Sequence, residues 1–252
     1  MRIPAFGIEL DVMPLDTAVA QISQWLSDQP RLGRYVVTPN VDHVLTLKSN
    51  EAFRQAYTDA SLRLIDGWPV AKAVSWLANV HATTVPGSDL VPAIFSHLTS
   101  TGKTAGVFLL GALPGVAEIA ASSIEARWNG ISVVGTYSPP FGFERDAAEC
   151  KKICDMLLEA KPDILVIGLG APKQEIWIHR YKDQIGPCVS ICAGATIDFL
   201  AGSKKRAPRW VRTLRFEWLY RMLQEPKRLF LRYAKGMILF PAYLVQEKLS
   251  RK

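Results

Sequence analysis

The chain has 252 residues, 49% of them hydrophobic, and a formal net charge of +7. That length and apolar content suit one large buried core and exclude collagen-like, disordered and disulfide-scaffold classes. The charge is uneven: residues 203–252 hold 14 of the 30 Lys and Arg residues against three Glu, a segment charge of +11 that leaves the rest at −4, so an anionic surface or ligand is expected at the tail.

The first residues, MRIPAFGIELD, carry an early acidic pair and no continuous apolar stretch, unlike a secretory leader. No apolar run reaches the roughly 18 residues of a membrane span, and a cytoplasmic chain is expected. Leu15, Ala18, Val19, Ile22, Trp25 and Leu26 recur at helical spacing and predict a first amphipathic helix. Six short β-rich runs follow: YVVTPN (35–40), LRLID (62–66), GVFLLG (106–111), ISVVGTY (131–137), DILVIGLG (163–170) and CVSICAGA (188–195). Stretches of helical length separate them, and several are nearly all apolar, as expected of parallel strands covered on both faces. The predicted fold is α/β, a Rossmann-like doubly wound, mostly parallel sheet.

From about Leu200 the pattern becomes continuously helical, with Leu214, Trp218, Leu219, Met222 and Leu223 on one stripe. Pro226 either breaks that helix or opens a second. The final stretch, RLFLRYAKGMILFPAYLVQEKL, interleaves apolar and cationic residues too closely to span a bilayer but suits its surface. Residues 1–202 are the expected core and residues 203–252 a basic amphipathic helical appendage.

Doubly wound sheets bind ligands beyond the carboxyl ends of their strands. There this sequence places Thr38-Pro39-Asn40, Asp66-Gly67, a glycine turn at 111–115, Tyr137-Ser138-Pro139-Pro140, Gly168 to Gln174, and Gly194 to Asp198. Asp66 has two readings of equal weight: a catalytic carboxylate, or the N-cap of a helix starting near Pro69. GLGAPKQE turns onto a helix N-terminus, whose N–H groups favour a diphosphate, and Gln174 is able to hydrogen-bond a base or phosphate. Gly168 serves helix packing equally well. Lys173 stands where the third glycine of a dinucleotide fingerprint belongs, and Gly102-Lys103-Thr104 fails as a phosphate loop because His97 replaces its first glycine.

Cys150/Cys154 and Cys188/Cys192 share a four-residue offset, a formal four-thiolate set. The same offset places each pair on one buried face, and the missing C-x-x-C knuckle favours that reading. Neither the four histidines nor any D-x-D pair supplies a metal site. Two rival readings rest on single features: a dehydrogenase-like nucleotide binder on the glycine turns, and a non-enzymatic membrane or nucleic-acid adaptor on the basic tail.

Eight motifs in series carry a resemblance. They are T-P-N-x-D-H (38–43), D-G (66–67), V-P-G-S-D-L (85–90), F-L-L-G-x-x-P-G (108–115), G-T-Y-S-P-P-F-G-F (135–143), G-L-G-A-P-K-Q-E (168–175), A-G-x-x-x-R-A-P-x-W (201–210) and E-W-L-Y-R-x-x-x-E-P-x-R (217–228). From about residue 5 to about residue 232 the chain resembles the WecG/TagA/CpsF glycosyltransferase family, glycosyltransferase family 26. The resemblance implies an inverting, metal-independent enzyme without a cofactor. Such an enzyme moves a sugar from a UDP-sugar (glucose, N-acetylmannosamine or N-acetylmannosaminuronate type) to a polyprenyl-diphosphate-linked saccharide in cell-surface polysaccharide synthesis. It further implies a UDP-sugar-binding core, an appendage that completes the active site at the cytoplasmic membrane face, self-association among members, and no nucleic-acid partner.

By position, the resemblance implies Asp66 as general base and Arg221 and Arg228 as partners of the departing diphosphate. Substrate contacts are implied for Thr38, Asn40, Gly67, Gly111, Gly170, Gln174, Arg206 and Arg232. Arg221 and Arg228 stand seven apart, the spacing of one helix face. The family often carries an arginine where this chain has Thr84; Arg63 or a tail arginine is the candidate substitute.

Overall fold

A computed structural model describes residues 1–205, 207–208, 210–211 and 216–251, apart from the side chains of Arg221 and Arg228. It opens on an antiparallel hairpin, β1 (Arg2–Ala5) and β2 (Ile8–Asp11), which the apolar pattern does not announce. The amphipathic helix α1 (Leu15–Ser27) follows where its spacing predicts it. Next come β3 (Arg34–Val37), α2 (Val41–Ser49), α3 (Glu51–Thr58), β4 (Leu62–Arg63), α4 (Trp68–Ala78) and α5 (Gly87–Ser100). The second half runs β5 (Ala105–Gly111), α6 (Val116–Arg127), β6 (Ile131–Tyr137), α7 (Ala147–Ala160), β7 (Ile164–Gly168), α8 (Lys173–Tyr181), β8 (Val189–Cys192) and α9 (Thr196–Leu200). Helices α10 (Glu217–Gln224) and α11 (Pro226–Leu249) complete it.

All six predicted strands lie in one parallel sheet, in the order β4-β3-β8-β7-β5-β6. Alternate strand residues enter two cores. Tyr35, Val37, Phe108, Leu110, Leu165 and Ile167 face α2, α3, α4, α7, α8 and the hairpin, whereas Val36, Val107, Leu109, Val166 and Ile191 face α1, α5, α6 and α9. A strand covered on both faces buries each successive side chain, which explains why these runs are apolar throughout. The four cysteines are unpaired and buried, as small apolar residues of those faces. The fold is Rossmann-like α/β.

Helix starts are fixed by local capping. Asn40 accepts from Asp42 N at 3.0 Å and His43 N at 3.2 Å at the head of α2, and Asp146 caps α7 in the same way. Gly87 lets the start of α5 approach the end of β8, since a Cβ there would lie 2.9 Å from Ala193 Cα.

Pro226 opens a second helix, so Arg221 and Arg228 sit on separate helices, α10 and α11, and the one-helix face expected from their spacing is not formed. Their side chains, Arg206 and Leu214 lie outside the described residues. Helix α11 docks along α2 and the hairpin: Phe240 and Tyr243 each stack 5.7 Å from Phe6, and Lys48 Nζ stands 4.5 Å over the Tyr243 ring. Its opposite side exposes Phe230, Leu231, Met237, Ile238 and Val245. No described helix is long and apolar enough to cross a membrane.

Candidate active site

Short contacts join the strand ends into one continuous edge. The Asp66 N–H donates to Pro39 O at 2.8 Å, linking β4 to β3. The Thr38 hydroxyl donates to Cys192 O at 3.4 Å, linking β3 to β8. At Gly111, where φ is +119°, a Cβ would stand 2.6 Å from the Gly168 carbonyl, so glycine is needed for β5 and β7 to meet. Ser138 closes the edge by donating to Gly111 O at 3.1 Å. Between β3 and β8 the following helices, α2 and α9, leave toward opposite faces of the sheet. Such divergence opens a crevice at the carboxyl edge, where doubly wound folds bind ligands.

Asp66 lies half-buried at that edge. Its reading as a helix cap is corrected, because Gly67 occupies the N-cap of α4 at φ +95° and accepts the Ala71 N–H at 3.3 Å. The carboxylate therefore stands one residue ahead of the cap. Gly170 differs from Gly111: its φ is +80°, yet a Cβ would meet nothing within 4 Å, so the space before it is open. Gly194, at the end of the neighbouring β8, is alike in its positive φ and open surroundings. Thr38 is buried behind the edge, and Asn40 is half-buried with its oxygen committed to α2.

Gln174 is 2% exposed. Its Oε1 accepts the Gly170 N–H at 3.2 Å and its Nε2 donates to Glu175 at 2.8 Å, so its amide braces the β7–α8 loop from within. Arg63 is likewise removed from the candidates for the Thr84 position. It is buried beside Asp11, and its guanidinium donates to the carbonyls of Tyr57, Thr58 and Ala60.

One buried charge cluster escapes a reading from sequence. The Tyr57 hydroxyl lies 2.7 Å from His43 Nδ1, and burial pushes the imidazole down to about 3 while raising the phenol. Burial likewise pushes the Glu175 carboxyl up to about 7, against the hydrogen bond from Gln174 and the attraction of Arg232. Arg232, from the second turn of α11, pairs with Asp42 at 3.0 Å in the turn that Asn40 caps. Lys204 meets Glu225 at 3.2 Å and Asp198 at 3.7 Å, so the start of the same helix is held near α9. The head of α11 is therefore tied on both sides of the β3–β8 crevice. The one sequence signal for Glu175 is its place three residues before the buried Ile178, on the inward face of α8.

Fold and edge together define a Rossmann-like α/β protein whose carboxyl edge carries a half-buried carboxylate, an open glycine turn and a basic helix tied beside them. The glycosyl transferase WecG/TagA/CpsF family model matches residues 3–252, and the chain belongs to that family of glycosyltransferases. Among its relatives is the N-acetylglucosaminyldiphosphoundecaprenol N-acetyl-beta-D-mannosaminyltransferase of Staphylococcus aureus strain MW2, 29% identical over 228 residues, 90% of this chain and 87% of the relative. The protein of the same name from strain NCTC 8325 matches with the same identity and coverage. Among solved structures, an arylmalonate decarboxylase aligns at a TM-score of 0.30 and 17% identity over 78% of this chain and 79% of its own, a likeness too slight to carry an argument.

Proposed function

We propose that this chain is an inverting, metal-independent glycosyltransferase that moves a sugar from a UDP-sugar to a polyprenyl-diphosphate-linked saccharide at a membrane surface. The observation that carries this reading is the Arg232–Asp42 pair, which brings the basic last helix to the strand edge that holds Asp66. The relatives' name points to an N-acetylglucosaminyl acceptor and an N-acetylmannosaminyl donor group; glucose and N-acetylmannosaminuronate are the other donor types considered.

In this mechanism Asp66 takes the proton of the acceptor hydroxyl as its oxygen attacks the anomeric carbon. The new C–O bond forms on the face opposite the departing diphosphate, the bond to UDP breaks, and the configuration inverts. Arg221, Arg228 and Arg232 balance the charge developing on the diphosphate, a task suited to guanidinium forks in a partly dry site. Arg206 joins them in substrate binding, and Gly170 leaves room for the phosphates. Asn40 and Gly67 shape the acceptor side, while Thr38, Gly111 and Gln174 hold the crevice wall behind them.

The core of residues 1–202 binds the nucleotide, and residues 203–252 complete the site and lay an apolar and cationic helix on the lipid surface. A UDP-release assay over a panel of UDP-sugars, with short-chain polyprenyl diphosphate acceptors and excess chelator, tests the reading. Release that depends on both substrates and survives chelator is expected. Release only with added divalent metal would remove the arginines from the charge-balancing role, and none with any pair would remove the transferase reading of this site.

A further inference from the structure

Glu175 lies in the first turn of α8 with 0% of its surface exposed. One carboxylate oxygen accepts from Gln174, which accepts from Gly170 N–H. The other, Oε2, is buried without a hydrogen-bond partner among the described residues. An unmatched buried acceptor is destabilising, and more so when charged, so an acid at this position is not explained by packing. Arg232 carries the complementary group: its Nε–H is also buried and unmatched among the described residues, while its Nη2 holds Asp42. Among the described residues no ion pair joins the two, yet a guanidinium with an open donor and a carboxylate with an open acceptor belong to one cluster, from α11 and from α8, and the guanidinium's attraction reaches the Glu175 carboxyl.

We propose that Glu175 is a positioning residue for sugar transfer: its ionised carboxylate couples Arg232 of α11 to the Gly170 turn, through Gln174, and so keeps the last helix and the β7–α8 loop in register around the donor. This rests on the reading of Gly170 and Arg232 as substrate-facing groups.

Among the described residues, three groups are linked to Glu175 by charge: Tyr57 on α3 and Cys192 on β8, elements packed on α8, and Arg232 on α11. Beyond them stand His43 on α2, which Arg232 also reaches, and Asp66, which acts on Tyr57. Burial raises both Tyr57 and Cys192, which stay protonated near neutrality, and His43 stays neutral there. Ionisation of Glu175, centred at about 7, is therefore the charge change within this cluster across the neutral range. A carboxyl group in the first turn of a helix also suits the helix dipole, but a merely structural role of that kind would not couple it to Arg232 or to turnover.

Full-length Glu175→Gln keeps an acceptor for Gln174 and removes the charge. From about pH 5.5 to about 8.5, wild-type kcat/KM is expected to rise through a limb near neutrality that the variant lacks. The variant's deficit should be on the order of 10–100-fold at the alkaline end and shrink to a few-fold at the acid end, with Glu175→Asp restoring part of the limb. An unchanged rate and pH profile in Glu175→Gln overturn the proposal. A thermal-melting cycle of Glu175→Gln and Arg232→Gln, singly and together, reads the same coupling without turnover. Non-additive changes in melting temperature at the alkaline end that become additive at the acid end are expected, whichever sign the single variants take; additivity at both overturns the proposal even in an active enzyme. If the wild-type chain transferred no sugar, the functional reading would fail, and the melting cycle would still decide whether Glu175 and Arg232 are linked.

Discussion

Asp66 illustrates how one position separates capping from chemistry. With Gly67 at the cap, helix α4 does not need the carboxylate as its N-cap residue. Asp66→Asn is expected to keep the stabilisation by UDP in a melting assay, while transfer falls ~10²–10⁴-fold, the usual contribution of a general base; retained turnover would displace it from that role. The neighbouring cluster makes a second prediction, with opposite signs for its two members. The His43 value falls from 6.5 to about 3, so its contribution to stability is complete above 6.5 and lost as pH falls toward 3. The Glu175 value rises from 4.5 to about 7, so its contribution is complete below 4.5 and lost as pH rises through 7. Between 4.5 and 6.5 the two oppose each other. Melting temperature should therefore climb with pH more steeply in Glu175→Gln than in wild type, and less steeply in His43→Gln; parallel curves would show that neither group titrates as described.

The β7–α8 loop and the end of β5 use glycine for different physical reasons, and substitution separates them. Gly170→Ala meets no atom within 4 Å and loses only the ease of a positive φ, on the order of 1 kcal/mol. Gly111→Ala adds a collision with the Gly168 backbone to a similar strain, so its melting temperature should fall well below that of Gly170→Ala. Equal shifts would deny the close approach of β5 to β7. The hairpin shows why some elements hide in the sequence. Its turn places Phe6 and Gly7 at φ 59° and 77°, a two-residue turn in which asparagine or aspartate is the usual first residue. Phenylalanine there signals a core residue and not a turn, and its ring is indeed buried against Phe240 and Tyr243. The central strands β3, β5, β7 and β8 were legible because burial on both faces leaves an apolar run, whereas four-residue β1 and β2 carry no such pattern.

The last helix has two apolar sides, and the whole molecule assigns each a use. Leu229, Phe240 and the half-buried Tyr243 face inward, whereas Leu231 and Ile238, seven residues apart, are 75% and 73% exposed. Full-length protein is expected to co-sediment with anionic vesicles, and Leu231→Glu combined with Ile238→Glu to abolish this without lowering the melting temperature. Equal binding by that variant would move membrane contact elsewhere. Composition, apolar runs and motif order sufficed by themselves for the α/β class, the six sheet strands, the polar edge and the charged tail, since each follows from the local period of burial or from charge. Tertiary structure alone decided that Gly67 and not Asp66 caps α4, that Gln174 and Arg63 turn inward, that Arg221 and Arg228 part at Pro226, and that Glu175 is sealed in the core with Gln174 on one oxygen. Those outcomes depend on which distant surfaces pack together, and burial or an ion partner supplied from another helix leaves no local period to read.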